Sequence, residues 1–172
     1  MIADLQRMET MIAQMLAYAQ GEVAPLQRAP VDIAALAREL VAAVPADGRH
    51  AHVQADASGI VQGDALALRR ALSNLIDNAM RYAGAVDIEI REAGDELHID
   101  VNDRGPGIPD DARARLMQPF QRLEHSRSRD AGGVGLGLAV ARSVAQRHGG
   151  MLELQTRSGA GLRARLRLPL AH

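Results

Sequence analysis

A chain of 172 residues suffices for one domain, or for one domain with a helical extension. Hydrophobic residues make up 47% and charged residues 24%, and the net charge of -1 excludes a general attraction to nucleic acid or to an acidic membrane surface. The absence of cysteine excludes a disulfide framework and a thiolate metal site, and no stretch approaches the roughly 18 apolar residues of a membrane span or the apolar run of a signal peptide, so a cytoplasmic setting is expected.

In chain order, the first element is a predicted helix over residues 1–20. Met1, Leu5, Met8, Ile12, Met15 and Ala19 recur at heptad spacing, and Ile2, Met11 and Leu16 widen the stripe as a helix inside a bundle requires. Gly21, Pro25 and Pro30 mark residues 21–30 as a linker. From Val31 a second unit runs to the end of the chain. Asp32 is a plausible N-cap for a helix carrying Ile33, Leu36, Leu40 and Val44. HVQADA and IVQGD read as short strands, and Asp64 is placed to cap a long helix from Ala65 to Ala83 with Leu68, Leu72, Leu75, Ile76 and Ala79 on one face. Val86, Ile88 and Ile90 alternate before a Gly94-Asp95 turn and Leu97, Ile99 and Val101 after it, the pattern of a half-buried hairpin. A helix is expected from Gly137, and MLELQT with LRARLRLPL forms a second hairpin around Gly159 and Gly161. The fold class is therefore α+β: a two-layer sandwich in which a mixed, mostly antiparallel sheet carries helices on one face, preceded by an N-terminal bundle helix.

Three stretches carry candidate chemistry. In NLIDNAMRY, Asn74 and Asn78 lie one helical turn apart and present both amides on one face, while Arg81 is a cation suited to phosphate and Tyr82 an aromatic plate. Asp77 points about 100° around the helix from Asn78. In NDRGPGIPDDA, Gly105 and Gly107 free the backbone at a strand end, and Asp103 can accept a hydrogen bond from an exocyclic amine. In GGVGLGLAV the glycines fit neither the phosphate loop ending in GK[ST] nor the dinucleotide fingerprint, which needs glycine where Leu138 stands. They join a basic segment containing Arg122, Arg127 and Arg129 to a helix whose N-terminal amides suit a phosphate. Taken singly, each stretch also reads as a polar stripe, an ordinary turn or a hinge.

Their conjunction, in this order, resembles the catalytic ATP-binding domain of sensor histidine kinases, in the superfamily shared with gyrase, the heat-shock chaperone ATPase and the mismatch-repair ATPase. NLIDNAMRY resembles that family's N box, DRGPG its first glycine box, Pro119-Phe120 its F box and GGVGLGLAV its second glycine box. The resemblance spans Val31 to Leu170, so the domains are expected to be 1–20, the second helix of a dimerisation and phosphoacceptor bundle; 21–30, a linker; and 31–172, the catalytic ATP-binding domain. The short segment between Phe120 and Gly132 is similar to kinases of the osmosensor EnvZ type.

The resemblance implies ATP and Mg²⁺ as ligands. Asn78 would ligate the metal with Asn74 assisting, Arg81 would meet phosphate, and Tyr82 would line the pocket. Asp103 would accept from the adenine amino group beside Gly105, Gly107 and Ile108. Gly133, Gly135, Gly137 and Leu138 would surround the phosphates, Arg122 and Arg127 would close over them, and Phe120 would anchor the lid. Asn74 stands where hydrolytic relatives carry a glutamate base, which favours a kinase over an ATP hydrolase. No residue is assigned a certain catalytic role. Leu162 replaces a threonine common in the family, at the cost of one water-mediated contact near the adenine.

None of His50, His52, His98, His125, His148 and His172 has the acceptor context, and each is expected to be a surface or strand residue. The implied acceptor lies on a bundle helix upstream, and the implied partners are that helix, a second protomer and a response regulator. Nucleic acid is not a partner, and a membrane enters only through segments of a longer parent. The competing readings are a superfamily ATPase, an anti-sigma-type serine kinase, and a degenerate dimerisation or signal-relay module.

Overall fold

The computed structural model describes residues 12, 15, 16, 18, 19, 23–45, 49–56, 59–122, 135–157 and 160–171. The elements are β1 (Ala29–Asp32), α1 (Ile33–Ala42), β2 (His50–Ala55), β3 (Ile60–Gly63), α2 (Ala65–Ala83), β4 (Ala85–Ala93), β5 (Glu96–Asn102), α3 (Asp110–Leu116), α4 (Gly137–Arg147), β6 (Met151–Thr156) and β7 (Leu162–Pro169).

Five strands form one sheet in the order β2-β4-β5-β7-β6, with β2 parallel to β4 and every other pair antiparallel. Period-two alternation sets its two faces. Val86, Ile88 and Ile90 of β4, Leu97, Ile99 and Val101 of β5, and Ala164, Leu166 and Leu168 of β7 are all buried. Register aligns them in rows, with Ile90 opposite Ile99 and Ile99 opposite Leu166. Over this face lies α2, which buries Leu68, Ala71, Leu72, Leu75, Ile76, Ala79 and Met80, beside α4, which buries Ala139, Val140, Ala141, Val144 and Ala145. The other sheet face is ion-paired. Asp100 is only 1% exposed, and Arg165 donates to both of its carboxylate oxygens, at 2.6 and 2.8 Å, while Arg167 bridges Glu96 and Glu153.

Both expected caps form. The Asp32 carboxylate accepts from the Ala35 N–H at 2.9 Å, and Asp64 Oδ1 accepts from the Leu66 and Ala67 N–H groups at 3.0 Å. One expectation needs correction, and one helix is additional. Ala29 and Pro30, assigned to the linker, belong to β1, which pairs antiparallel with β3 and sets Ala29 opposite Gly63. A proline is tolerated there because a two-stranded sheet is all edge. Asp110–Leu116 forms a helix to which the sequence reading assigned no element: Pro109 precedes it, and Asp110 and Asp111 supply negative charge to its first turn.

Ile12, Met15, Leu16, Tyr18 and Ala19 are helical. Met15 and Tyr18 pack against the core of the α+β unit, whereas Ile12 and Leu16 are 54% and 55% exposed. Part of the heptad stripe is thus turned toward the chain's own sheet-and-helix unit. Residues 1–11 lie outside the described residues. Among the described residues, no helix is long and apolar enough to cross a membrane.

Candidate nucleotide site

The site begins with the two ends of α2. Asp64 fixes the first turn, and the last ends at Gly84, whose φ of 67° is the left-handed conformation that glycine takes without strain. Between them, the buried stripe turns the half-buried Asn74 and Asn78 toward the start of α4. A Cβ placed on Gly137 would lie 3.6 Å from Asn74 Oδ1, 3.6 Å from Asn78 Oδ1 and 3.5 Å from Asn78 Nδ2. Two amides from one helix therefore converge on the first residue of another.

The start of α4 is itself electron-poor. Leu136 at the N-cap has no side-chain oxygen to offer, and the first helical bond runs from the Val140 N–H to the Leu136 carbonyl at 2.8 Å. The N–H groups of Gly137, Leu138 and Ala139 have no acceptor within the helix, and the helix dipole adds positive charge at the same point. An anion held there would face the Asn74 and Asn78 amides. Leu138 packs against the core at its margin.

At the end of β5 the chain turns with Asp103, which is 8% exposed. Its Oδ1 accepts from the Gly105 N–H at 2.9 Å and the Leu162 N–H at 3.0 Å, while its own N–H donates to the Leu162 carbonyl at 2.9 Å. Among the described residues nothing donates to Oδ2. Gly105 sits against α2: its absent Cβ would lie 3.3 Å from the Tyr82 carbonyl oxygen and 3.4 Å from Ala83 Cβ. Gly107, at φ 74°, has the Gly161 carbonyl oxygen 3.3 Å from the same point. Ile108 is partly buried against the core.

Phe120 and Gly135 pin the two sides of the basic segment together. The Phe120 N–H donates to the Gly135 carbonyl at 3.0 Å. Phe120 has φ 64°, a left-handed conformation unusual for a bulky residue, and the residue is 50% exposed. Gly135, at φ 78°, would bring a Cβ to 2.8 Å from the Gln121 carbonyl oxygen and 3.2 Å from Arg122 Cγ. Arg127 and Gly133, with the rest of residues 123–134, fall outside the described residues.

Arg81 and Tyr82 project from the last turn of α2 and are exposed. Asp77 is solvent-accessible, yet surrounding protein atoms remove enough water to raise its carboxyl above the usual range, against the pull of Arg81. Among the described residues no group of three or more His, Cys, Asp and Glu could hold a metal ion.

Two contributors escaped the motifs. Gly161, at φ 105°, admits the Asp103 carbonyl oxygen to 2.1 Å from where its Cβ would stand, and Arg157 Nη1 donates to that oxygen at 3.0 Å. A glycine just before β7 was the one available signal; Arg157 had none. His148 is a further correction, for it is 4% exposed rather than on the surface or in a strand. Its Nδ1 donates to the Val144 carbonyl at 2.7 Å, which leaves Nε2 to accept the Asp64 N–H at 3.0 Å.

A sequence profile of the family described as histidine kinase-, DNA gyrase B-, and HSP90-like ATPase matches residues 63–172, from the end of β3 through both glycine boxes. The chain belongs to that family. Within the histidine kinase-like ATPases it corresponds to the ATP-binding catalytic domain of sensor histidine kinases. It is 33% identical over 177 residues to Sensor protein CutS of Streptomyces coelicolor, an alignment covering 99% of this chain and 43% of CutS. The chain thus spans less than half of that relative's length. Full-length ShkA in complex with AMPPNP superimposes with a TM-score of 0.79 at 26% identity, covering 94% of this chain and 35% of ShkA. The mycobacterial sensor histidine kinase MprB gives 0.73 at 26% identity, covering 83% and 97%.

Proposed function

We propose that this chain is the ATP-binding kinase portion of a two-component sensor histidine kinase, moving the γ-phosphate of ATP to a histidine on a bundle helix. That histidine is none of its own six, and a response-regulator aspartate is the final acceptor. The observation that carries the reading is the convergence of Asn74 and Asn78 on Gly137, beside the uncapped start of α4 and within one fold with the Asp103 turn.

In this arrangement the base is read at Asp103, whose Oδ1 is held by two backbone N–H groups while Oδ2 receives the adenine amino hydrogen. Gly105 and Gly107 let the ring approach the backbone, with Ile108 and Tyr82 beside it. Phosphate oxygens accept from the first amides of α4 and from Arg81, and the cations of Arg122 and Arg127 are assigned to the same phosphates. Magnesium fits the donor set, since two hard amide oxygens, Asn74 Oδ1 and Asn78 Oδ1, face one small space and nucleotide phosphates would complete the shell. When bound, the ion would neutralise charge on the phosphates. The chain's own part in phosphoryl transfer is to orient the triphosphate and exclude water from it. Asn74 cannot take a proton from water as a glutamate would, so the bound ATP is kept for its histidine. In the full-length protein we place this unit in the cytoplasm, with residues 1–20 in a homodimeric bundle and 21–28 joining the two parts.

The test supplies Mg-ATP labelled in the γ-phosphate, with and without the histidine-bearing bundle helices of the same full-length kinase as a separate polypeptide. Acid-labile, alkali-stable label is expected on the bundle and not on this chain. Label on this chain alone, or steady ATP hydrolysis without an acceptor, would replace the reading with a self-modifying kinase or an ATPase.

A further inference from the structure

The turn that carries Asp103 is held from behind by a side chain outside the four sequence motifs. Three observations isolate it. Asp103 is nearly buried, so its backbone groups need partners within the protein. Its N–H goes to the Leu162 carbonyl at 2.9 Å, but its carbonyl oxygen is met by the Arg157 guanidinium, Nη1 to O at 3.0 Å. Arg157 is in turn fixed in the opposite strand connection, its own N–H donating to the Gly161 carbonyl at 3.2 Å, and Gly161 has no Cβ to block the approach. The carbonyl and the carboxylate of Asp103 thus hang from one Cα between two anchors: Arg157 on one side, the Leu162 and Gly105 amides on the other.

We infer that Arg157 is a positioning residue for base recognition, setting the direction of the Asp103 carboxylate and hence the preference for a purine bearing an exocyclic amine. The inference rests on the proposal that Asp103 reads adenine. Removing the guanidinium leaves a buried carbonyl without its partner, and the turn relaxes toward water, carrying the carboxylate with it. Such a shift weakens only the contact that Asp103 makes. Phosphate and metal contacts on α2 and α4 stay as they were, so the loss falls on discrimination between bases and not on binding in general.

The test is titration calorimetry of the 172-residue chain with Mg-AMPPNP and with its inosine counterpart, in which a carbonyl replaces the amino group. The unmodified chain is expected to prefer the adenine form. In Arg157→Ala the adenine Kd rises about five- to tenfold while the inosine Kd stays within about twofold, and Arg157→Lys, which keeps a cationic donor, recovers part of the preference. Should Arg157→Ala fail to fold, Arg157→Met keeps the apolar stem and carries the same expectation. If the unmodified chain does not distinguish the two bases, or if Asp103→Ala leaves its preference intact, the base-reading role of Asp103 falls and the inference with it. If Asp103→Ala abolishes the preference and Arg157→Ala does not lower it, the role of Arg157 alone is overturned.

Discussion

Gly135 and Gly137 occupy alternate positions of one glycine-rich stretch and serve opposite purposes. Gly135 needs its φ of 78° and has a carbonyl oxygen 2.8 Å from where a Cβ would stand, so alanine there strains the backbone. Gly137 lies in helical backbone with its nearest neighbours at 3.5 and 3.6 Å, an ordinary contact distance, but those neighbours are the Asn78 and Asn74 amides. Gly137→Ala is therefore expected to change stability by less than about 1 kcal/mol, since alanine is the better helix former, while a methyl between the amides weakens Mg-AMPPNP binding at least about tenfold. Gly135→Ala should lower the melting temperature as well as affinity. Thermal melts beside calorimetry separate the two, and equal losses of stability in both variants would contradict the assignment of Gly137. From sequence the glycines look equivalent, because spacing reveals that a position is small but not what stands opposite. Arg157 is illegible for a similar reason: its partner is 54 residues away and is a backbone atom, which leaves no pattern in side chains.

At the scale of elements, local signals sufficed wherever the determining contacts are local. The caps at Asp32 and Asp64, the alternation of β4 and β5 and the apolar stripe of α2 were readable for that reason. The short helix α3 was missed because its cap position, Pro109, makes no side-chain bond, although two aspartates in its first turn were a usable signal. The contacts that Gln27 and His148 make with Asp64, at the joint between α2 and α4, were not readable. There Asp64 accepts the Gln27 N–H at 3.0 Å, caps α2 and donates its own N–H to His148. Burial, with smaller effects from Arg28 and Arg147, holds the His148 pKa below its ordinary 6.5, against the Val144 carbonyl and Asp64, which favour the charged form. The unfolded imidazole takes up a proton near 6.5 and the folded one only at lower pH, so acidification through that interval adds protons to the unfolded state and lowers stability. Thermal melts from about pH 8 down to about pH 5.5 should show this loss, and His148→Gln should flatten it. An unchanged pH profile in the variant would place the acid sensitivity elsewhere.

For the whole molecule, the class of fold was legible and the strand order was not. β2 and β4 are parallel neighbours separated in the chain by β3 and α2, and β1 finds β3 across α1 and β2, pairings that no local window contains. The ion-paired sheet face shows the same limit. The alternating arginines of β7 are evident in LRARLRLPL, whereas the burial of Asp100 beneath them follows only from the register of β5 against β7. That topology brings the end of β5, the later turns of α2 and the start of α4 into one fold, and the central claim is that they form one Mg-ATP site. Titration of the intact chain and of Asn78→Ala with AMPPNP, each with and without Mg²⁺, tests it most directly. The account predicts Mg²⁺-dependent binding to the intact chain, weakened at least about tenfold in Asn78→Ala with circular dichroism unchanged. Binding indifferent to both the metal and the substitution, or no binding to the intact chain, would contradict it.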